Sequence, residues 1–462
     1  MLCLLTQSAF SRELPPWIPE APPVTESYPL ISAEEIPGSP QVVRTISLNG
    51  EWKTSCVESS AVPFPENIDR NAPYANAELD DSSWKAQTVP GRTIYALFPN
   101  LPDTKRPYMK AWSRKTVTLS GIAGRRAILQ FDRAGYECLV FVNGRLAGTH
   151  KGSFTPFEVD VTDAVREGKN VIALRFRADL GHTGGIAPQT HVYGAAFAPE
   201  HHPFGLCGPV RLSLEPQVRI TRVRIVPRLD EHCVNASIEV NNHTGKNLTV
   251  NLDARIPPAV RKDAAQLTGH TEQKNWKLLP GTNTLRIRVP LTNPRLWSPR
   301  SPYLYFLTAD LRLDGKLLNR RSERFGYRDF RIRKGKFHLN GEECYLFGAY
   351  MHSISFPAGD RWHATRLREY KKLGCNIARS SHDPLLPEVL SAADEQGFMI
   401  YHEWAWSFLH NLRFREFEAN NQAELKEFIE YSHNHPSVVM WSLGNEINHR
   451  NPEVNRQLNR QA

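Results

Sequence analysis

Residues 434–446 read Asn434-His435-Pro436-Ser437-Val438-Val439-Met440-Trp441-Ser442-Leu443-Gly444-Asn445-Glu446, and this stretch decides the fold class. Pro436 cannot continue a helix, so a helix must end before it. Val438 to Trp441 is an apolar run without polar alternation, which predicts a strand buried on both faces, as in a parallel sheet. A glycine then turns the chain. An amide, Asn445, and a carboxylic acid, Glu446, follow just past the strand's carboxyl end.

The position of these two polar residues suggests a chemical role. In α/β barrels, active sites are built at the carboxyl ends of the parallel strands. A carboxylic acid beside an amide suits a general acid that must also hold a sugar hydroxyl. The alternative is an ordinary surface glutamate after a core strand, and the spacing alone leaves both interpretations open.

The same run resembles the acid/base signature of glycoside hydrolase family 2, the family of β-galactosidases, β-glucuronidases and β-mannosidases. The resemblance implies that Glu446 is the catalytic acid/base and that Asn445 binds the substrate. A second stretch, residues 376–384, resembles the family's N-x-x-R-x-S-H-Y-P signature. Arg379 and His382 lie in this stretch, and a guanidinium and an imidazole there can hold a carboxylate and sugar hydroxyls in place, which makes both residues candidates for substrate binding.

The second signature departs from the family pattern at two positions. Asp383 stands where the family has tyrosine, and Ala378 stands where it has a larger apolar residue. For Arg379, the alternative to substrate binding is a structural ion pair inside the barrel.

Two further residues are candidates for substrate binding. His352 follows the first predicted strand, where the family often carries a histidine near the sugar, although a loop histidine without a function is the alternative. Glu403 follows the third predicted strand and is interpreted as structural or as a support for the site. No motif for a metal or cofactor is present, so we expect neither.

From about residue 327, short apolar strands alternate with helical patterns, which predicts parallel βα units. Pro387 is expected to open one helix, which Gly397 ends. Asn421, with Glu424 three residues on, is interpreted as the capping box of the next helix. Four such strands predict the first half of a (β/α)8 TIM barrel. The predicted strands are Leu346–Tyr350, Asn376–Arg379, Phe398–Tyr401 and Val438–Trp441.

The residues before this region predict two β-sandwich domains. Asn143-Gly144 directly follows a strand-like run and is a strong hairpin signal. The segment around it resembles the family's jelly-roll sugar-binding domain, and the next alternating strands fit an immunoglobulin-like sandwich. Trp297 and Tyr305 are interpreted as core or interdomain packing. The predicted units are an extended surface leader at 1–40, a jelly-roll domain at 41–215, an immunoglobulin-like sandwich at 216–326 and a partial TIM barrel at 327–462.

Composition restricts the class of protein. The 462 residues carry a net charge of +9, but Lys and Arg are scattered, so no nucleic-acid partner is predicted. No stretch of about 20 apolar residues exists, so no membrane span is expected. Seven cysteines without a C-x-x-C motif indicate neither a zinc site nor a redox pair. The first eleven residues fit either a clipped signal peptide, implying a periplasmic or secreted protein, or a simple tail of a cytoplasmic one.

The resemblance implies a retaining glycoside hydrolase that cleaves terminal β-linked sugars and is similar to a β-galactosidase. A β-glucuronidase is the alternative specificity. A mannosidase is disfavoured, because residues 348–352 do not match the "GANW" run of that class. The alternative from another class is a non-catalytic carbohydrate-binding protein or a truncated homologue.

The second catalytic carboxylate is expected outside this chain. In the family, the nucleophile is a glutamate three strands after the acid/base, whereas this sequence stops at Ala462. We therefore expect these 462 residues alone to show no glycosidase turnover. The open edges of half a barrel also predict association with a partner or with a second copy of the chain.

Overall fold

The computed structural model describes residues 28–37, 42–60, 72–91, 93–97, 108–177, 204–351, 360–380, 383–405 and 415–445. Within these ranges the chain forms two antiparallel β-sandwiches followed by a parallel sheet with helices. The predicted fold class, two sandwiches and a portion of a TIM barrel, is confirmed. The exact boundaries between these units stay a prediction.

The first sandwich packs a four-stranded sheet, ordered β1-β12-β5-β9, against a six-stranded sheet, ordered β3-β2-β4-β10-β7-β8. Alternating side chains of both sheets fill the core between them, including Trp52, Leu129, Val140 and Leu174. A short helix, α1 (Thr93–Leu97), lies beside them. The strands are β1 (Arg44–Ser47), β2 (Gly50–Ser60), β3 (Lys85–Val89), β4 (Tyr108–Leu119), β5 (Arg126–Phe131), β6 (Ala134–Gly135), β7 (Glu137–Val142), β8 (Arg145–Lys151), β9 (Phe157–Asp160), β10 (Gly168–Arg177), β11 (Gly205–Leu206) and β12 (Val210–Glu215).

The predicted hairpin at Asn143-Gly144 is confirmed. Val142 pairs with Arg145, so the loop contains only these two residues. Asn143 has φ 51° and Gly144 has φ 83°. Positive φ at both central positions defines the tight hairpin turn that this dipeptide favours.

The second sandwich packs a three-stranded sheet, β13-β14-β17, against a four-stranded sheet, β16-β15-β18-β19. Its core includes Ile238, Leu252 and Tyr305. A small sheet, β20-β21-β22, follows. The strands are β13 (Val218–Arg228), β14 (Cys233–Asn242), β15 (Leu248–Ile256), β16 (Gly269–Leu278), β17 (Gly281–Pro290), β18 (Tyr305–Leu313), β19 (Lys316–Phe325), β20 (Phe330–Arg333), β21 (Lys336–Leu339) and β22 (Glu342–Glu343).

The last unit is the predicted parallel sheet, with its four strands in chain order. The helix that begins at Pro387 ends at Gln396, and Gly397, with φ 60°, caps its end as expected. No helix in the described ranges is long and apolar enough to cross a membrane. The elements are β23 (Gly348–Met351), α2 (Asp360–Lys372), β24 (Ile377–Ser380), α3 (Pro387–Gln396), β25 (Met399–Glu403), α4 (Arg415–Ser432) and β26 (Val438–Ser442).

Two local predictions in this unit are wrong. Asn421 and Glu424 do not cap a helix, because α4 begins six residues earlier at Arg415. Both side chains are buried, and their hydrogen-bond partners lie in other elements. The strand β26 is not buried on both faces, because Trp441 is 37% exposed. Its indole donates to Ser432 Oγ (3.0 Å) at the end of α4 instead of entering a closed core.

The leader also differs from the prediction. Within residues 28–37, Leu30 forms a β-bridge with Val260 of the second sandwich. Ile31 and Ile36 are buried in a cluster that includes Trp297 and Met399. This segment therefore helps to join the second sandwich to the parallel sheet and does not simply lie on the surface.

The residues before β26 dock on the second sandwich. Asn434 accepts a hydrogen bond from Ile225 N (2.9 Å) and donates one to Val223 O (2.7 Å), so its side chain pairs with β13. Pro436 packs on Gly326 so closely that an added Cβ there would lie 2.7 Å from Pro436 Cβ. Together these contacts fix the base of β26.

An aspartate in α3 holds the next part of the same stretch. Asp394 lies 2.6 Å from His435 Nδ1 and accepts from Ser437 N (3.0 Å). The Asp394 carbonyl accepts from the indole of Trp297 (2.9 Å), which is fully buried. Trp297, for which core or interdomain packing was predicted, is thus buried and bonded to α3.

His433 makes the stability of the contact between the residues before β26 and the second sandwich depend on pH. Burial, and secondly the charge of Arg224, lower the pKa of His433 from 6.5 to about 4. In the unfolded chain the imidazole therefore takes up a proton near pH 6.5, whereas in the folded chain it resists protonation until about pH 4. The contribution of the neutral His433 side chain to the free energy of unfolding is thus fully present above pH 6.5 and is lost as the pH falls towards 4.

We expect His433→Gln to flatten this dependence. Each unit of pKa shift corresponds to about 1.4 kcal/mol, so the wild type should lose about 2–3 kcal/mol more than the variant between pH 7 and pH 4. The measurement is the free energy of opening of β13 and β26, obtained from urea-dependent hydrogen exchange in both proteins across this range, because a multidomain chain does not unfold in one step. Carboxylates titrate in both proteins alike, so the difference between the two curves isolates His433. Parallel curves would contradict the prediction.

Candidate active site

Polar side chains converge where the parallel strands end. Arg379 lies in β24, Glu403 ends β25 and Ser442 ends β26, while Asn445 lies three residues further. Because the carboxyl ends of parallel strands share one edge of the sheet, residues far apart in sequence meet here. The hydrogen bonds among these four residues form one connected network.

Arg379 and Glu403 form a bidentate ion pair. Arg379 Nε lies 2.8 Å from Glu403 Oε2, and Nη2 lies 2.8 Å from Oε1. The Glu403 side chain is 1% exposed and that of Arg379 is 35% exposed. A fork of this kind fixes both groups in one orientation. The ion pair that the sequence left as an alternative for Arg379 is therefore present.

Two serines also contact Glu403. Ser442 Oγ donates to Glu403 Oε2 (2.8 Å), and Glu403 N donates to Ser380 Oγ (2.6 Å). The carboxylate is thus held by a cation and a hydroxyl in a buried position. The role of Glu403, structural, supporting or substrate-binding, stays a prediction.

Asn445 is oriented by the same arginine. Arg379 Nη2 donates to Asn445 Oδ1 (2.7 Å), which fixes which end of the amide carries the oxygen. Asn445 Nδ2 is buried and has no hydrogen-bond partner in the described ranges. An unpaired buried donor costs about 1–3 kcal/mol, so it calls for an explanation such as a ligand. Gly444, with φ 153°, supplies the turn that brings the amide here.

Three predicted site residues, Glu446, His352 and His382, lie outside the described residues, so their roles stay predictions. Asp383, the departure from the family pattern, is 1% exposed at the carboxyl end of β24. No group of three or more His, Cys, Asp or Glu side chains that could hold a metal ion occurs in the described part of the chain.

Sequence reasoning missed the residues that support the site. Ser380 and Ser442 are ordinary strand residues by pattern, although each is a polar residue at the carboxyl end of an apolar strand. Asn421 was interpreted as a helix cap, but its Oδ1 accepts from the indole of Trp404 (3.1 Å). Trp404 follows Glu403 directly and is 1% exposed. The partner of Asn421 lies in another element, so local sequence rules could not identify it.

Three family models match the chain in succession. The sugar binding domain of glycosyl hydrolases family 2 matches residues 45–180, and a second model of that family matches residues 218–328. The TIM barrel domain of the same family matches residues 330–457. Together they span most of the chain, in the order in which the structure shows the two sandwiches and the parallel sheet.

Curated relatives come from the same family of enzymes. A Formosa agariphila protein provisionally named beta-glucuronidase is 28% identical over 391 residues, which is 82% of this chain and 45% of the relative. The beta-galactosidase BoGH2A of Bacteroides ovatus is 27% identical over 350 residues, which is 73% of this chain and 39% of the relative. This chain thus spans less than half of the length of these two relatives.

Solved structures share the fold. A glycosyl hydrolase family 2 member from Bacteroides cellulosilyticus matches with a TM-score of 0.72 at 22% identity, over 90% of this chain and 55% of that one. A Bacteroides uniformis beta-glucuronidase matches with a TM-score of 0.69 at 23% identity, over 86% of this chain and 46% of that one. With three successive models of one family matched and the same order of domains in the structure, the chain belongs to glycoside hydrolase family 2.

Proposed function

We propose that this chain carries the acid/base side of the active site of a retaining β-glycosidase. The observation that supports it most is the Asn445 amide, which Arg379 fixes in place and whose buried N–H group has no hydrogen-bond partner among the described residues. Glu446 is the next residue in the chain, so the sequence provides a carboxylic acid directly after this oriented amide. Sugar binding at one group and proton transfer at the other is the combination that glycoside hydrolysis requires.

In the proposed mechanism, Asn445 Nδ2 donates to the sugar hydroxyl next to the anomeric carbon. Glu446 protonates the leaving oxygen while a second carboxylate attacks the anomeric carbon and forms a glycosyl-enzyme. Glu446 then takes a proton from the water that releases the sugar. Glu403 does not suit the attacking role, because Arg379 and Ser442 hold its oxygens in a buried position.

The substrate we propose is a terminal β-galactoside, with a β-glucuronide as the alternative. Relatives carry both names. The Nε–Nη2 edge of Arg379 is already engaged by Glu403 and Asn445. The pair has no net charge, so it is a poor partner for the carboxylate of a uronic acid and favours a neutral sugar.

The test is hydrolysis of a panel of 4-nitrophenyl glycosides by the whole gene product, with the anomer of the released sugar followed by NMR. We expect the β-galactoside to be cleaved fastest and the β-anomer to appear first, as retention requires. First appearance of the α-anomer would contradict the double displacement. Binding of the β-galactoside without turnover of any glycoside in the panel would favour the non-catalytic carbohydrate-binding alternative.

A further inference from the structure

The first sandwich packs directly on the helix that supports the candidate site. Phe154, in the loop between β8 and β9, is 1% exposed. It belongs to one buried cluster with Trp404, Leu425 and Phe428, of which the last two lie in α4. The ring of Trp404 lies 5.3 Å from that of Phe428. An aromatic side chain of the sugar-binding-like domain therefore completes the packing around a residue adjacent to Glu403.

Polar contacts surround this apolar cluster. Tyr136 donates from its hydroxyl to Glu424 Oε1 (3.0 Å), and both side chains are buried. Thr155 Oγ1 lies 2.5 Å from Glu427 Oε2, and His150 Nε2 lies 3.1 Å from the same oxygen. Two carboxylates of α4 are thus held by side chains of the first sandwich, which fixes how the helix sits on that domain.

The backbone of the same loop approaches α4 very closely. An added Cβ at Gly152 would lie 3.2 Å from Glu424 Cγ and 3.0 Å from His150 Cε1. Gly152 also has φ 145°, a conformation that favours glycine. The interface is therefore closely packed, and a packed interface transmits small displacements.

Trp404 connects this interface to the polar network. Its backbone N–H donates to Ser442 O (2.8 Å), which ties β25 to the end of β26. Its indole donates to Asn421 Oδ1 of α4 (3.1 Å). Ser442 in turn donates from Oγ to Glu403 (2.8 Å). The position of Trp404 is therefore coupled to the residues that hold the Glu403 carboxylate.

We propose that Phe154 is a positioning residue for the active site and acts through Trp404. Phe154 fills the space between the first sandwich and α4 and thereby holds the end of β25 in place. Glu403, at that end, then keeps the Arg379 side chain in one orientation. Arg379 in turn keeps the Asn445 amide in one orientation. The first sandwich then supports the catalytic unit by packing against α4, in addition to any carbohydrate binding of its own. The part of this inference that concerns catalysis rests on the proposed function.

The first experiment does not depend on activity. Hydrogen exchange is followed by mass spectrometry in peptides that cover residues 399–405, in the wild type, Phe154→Leu and Phe154→Ala. The matched control is Phe176→Leu, because Phe176 is equally buried in the core of the first sandwich and belongs to a different cluster. Peptides of β14 serve as the internal reference.

We expect the Phe154 variants to speed exchange at 403–405 at least tenfold while β14 stays unchanged. Phe176→Leu should leave residues 399–405 protected. Unchanged exchange at 403–405 in a folded Phe154 variant would overturn the proposal, and so would an equal effect of Phe176→Leu. If Phe154→Ala does not fold, Phe154→Leu still gives this comparison.

The second experiment asks whether the Asn445 amide loses its orientation. In the whole gene product, it compares kcat/KM for a 4-nitrophenyl β-galactoside with kcat/KM for its 2-deoxy analogue, which lacks the hydroxyl that Asn445 is proposed to bind. We expect Phe154→Leu to lower this ratio at least threefold and Phe176→Leu to leave it unchanged. An unchanged ratio in Phe154→Leu would overturn the positioning role, whereas absence of turnover in the wild type would count against the proposed function alone.

Discussion

Glu446→Gln is expected to reduce hydrolysis of glycosides with poor leaving groups by about 100- to 10,000-fold, the contribution typical of general acid–base catalysis. Glutamine keeps the shape of the side chain but has no proton to give to the leaving oxygen. Activated aryl glycosides, whose leaving groups depart without help, should lose far less in the glycosylation step. The measurement is the pre-steady-state rate constant against leaving-group pKa for the whole gene product, as wild type and as variant.

Two variants serve as controls for this result. In Glu446→Ala, azide should partly restore turnover of activated substrates, because it attacks the glycosyl-enzyme without needing a general base. Asn445→Ala should slow all substrates by a similar factor, since the bond to the sugar hydroxyl matters whatever the leaving group. An equal loss across leaving groups in Glu446→Gln would assign the acid role to another residue, and Glu403 would be examined next.

Glu403→Gln is expected to destabilise the parallel-sheet unit by about 3 kcal/mol, the lower end of the cost of breaking a buried ion pair. The lower end applies because the Arg379 side chain is 35% exposed and water can solvate part of its charge. The change leaves Arg379 without its counter-charge and removes the carboxylate that orients it towards Asn445. Activity should fall together with stability.

The measurement is the unfolding transition followed by hydrogen exchange in β25 and β26, because a multidomain chain does not unfold in one step. Glu343→Gln is the matched control, since Glu343 pairs with Lys336 at 2.8 Å but both side chains are more than half exposed. That variant should change stability by less than about 0.5 kcal/mol, as exposed pairs do.

Arg379→Met combined with Glu403→Leu should cost less stability than the sum of the two single changes. Additive losses would mean that the two groups are not coupled.

Features coded by local chemistry were predictable from the sequence. The hairpin at Asn143-Gly144 and the helix from Pro387 to its glycine cap both depend on backbone preferences of single residues. The parallel strands followed from apolar runs of the right length. In each case the deciding interactions lie within a few residues of each other, so the printed sequence contains them.

Features coded by distant partners were not predictable. Asn421 and Glu424 have the spacing of a capping box, but their partners are Trp404 and Tyr136, 17 and 288 residues away in the sequence. The sequence left two interpretations of Arg379 open, substrate binding and a structural ion pair. The carboxylate that pairs with it belongs to the next strand, and only the folded sheet brings the two residues together. Exposure of Trp441 could not be deduced either, because a buried strand and a partly covered one have the same composition.

The hydrogen bonds between Asn434 and β13 affect what a sequence search with the run of residues 434–446 detects. The first four residues of the run, Asn434 to Ser437, make contacts that assemble domains, whereas only its last two residues carry the proposed chemistry. A homologue whose acid has mutated would keep these four residues for as long as it still needs to fold. Matches to the run therefore report inherited architecture, and pseudoenzymes in this family would pass such a search. In recombination between relatives, the Asn434 contacts would tolerate a sandwich strand of different sequence, because Asn434 pairs with main-chain atoms of β13.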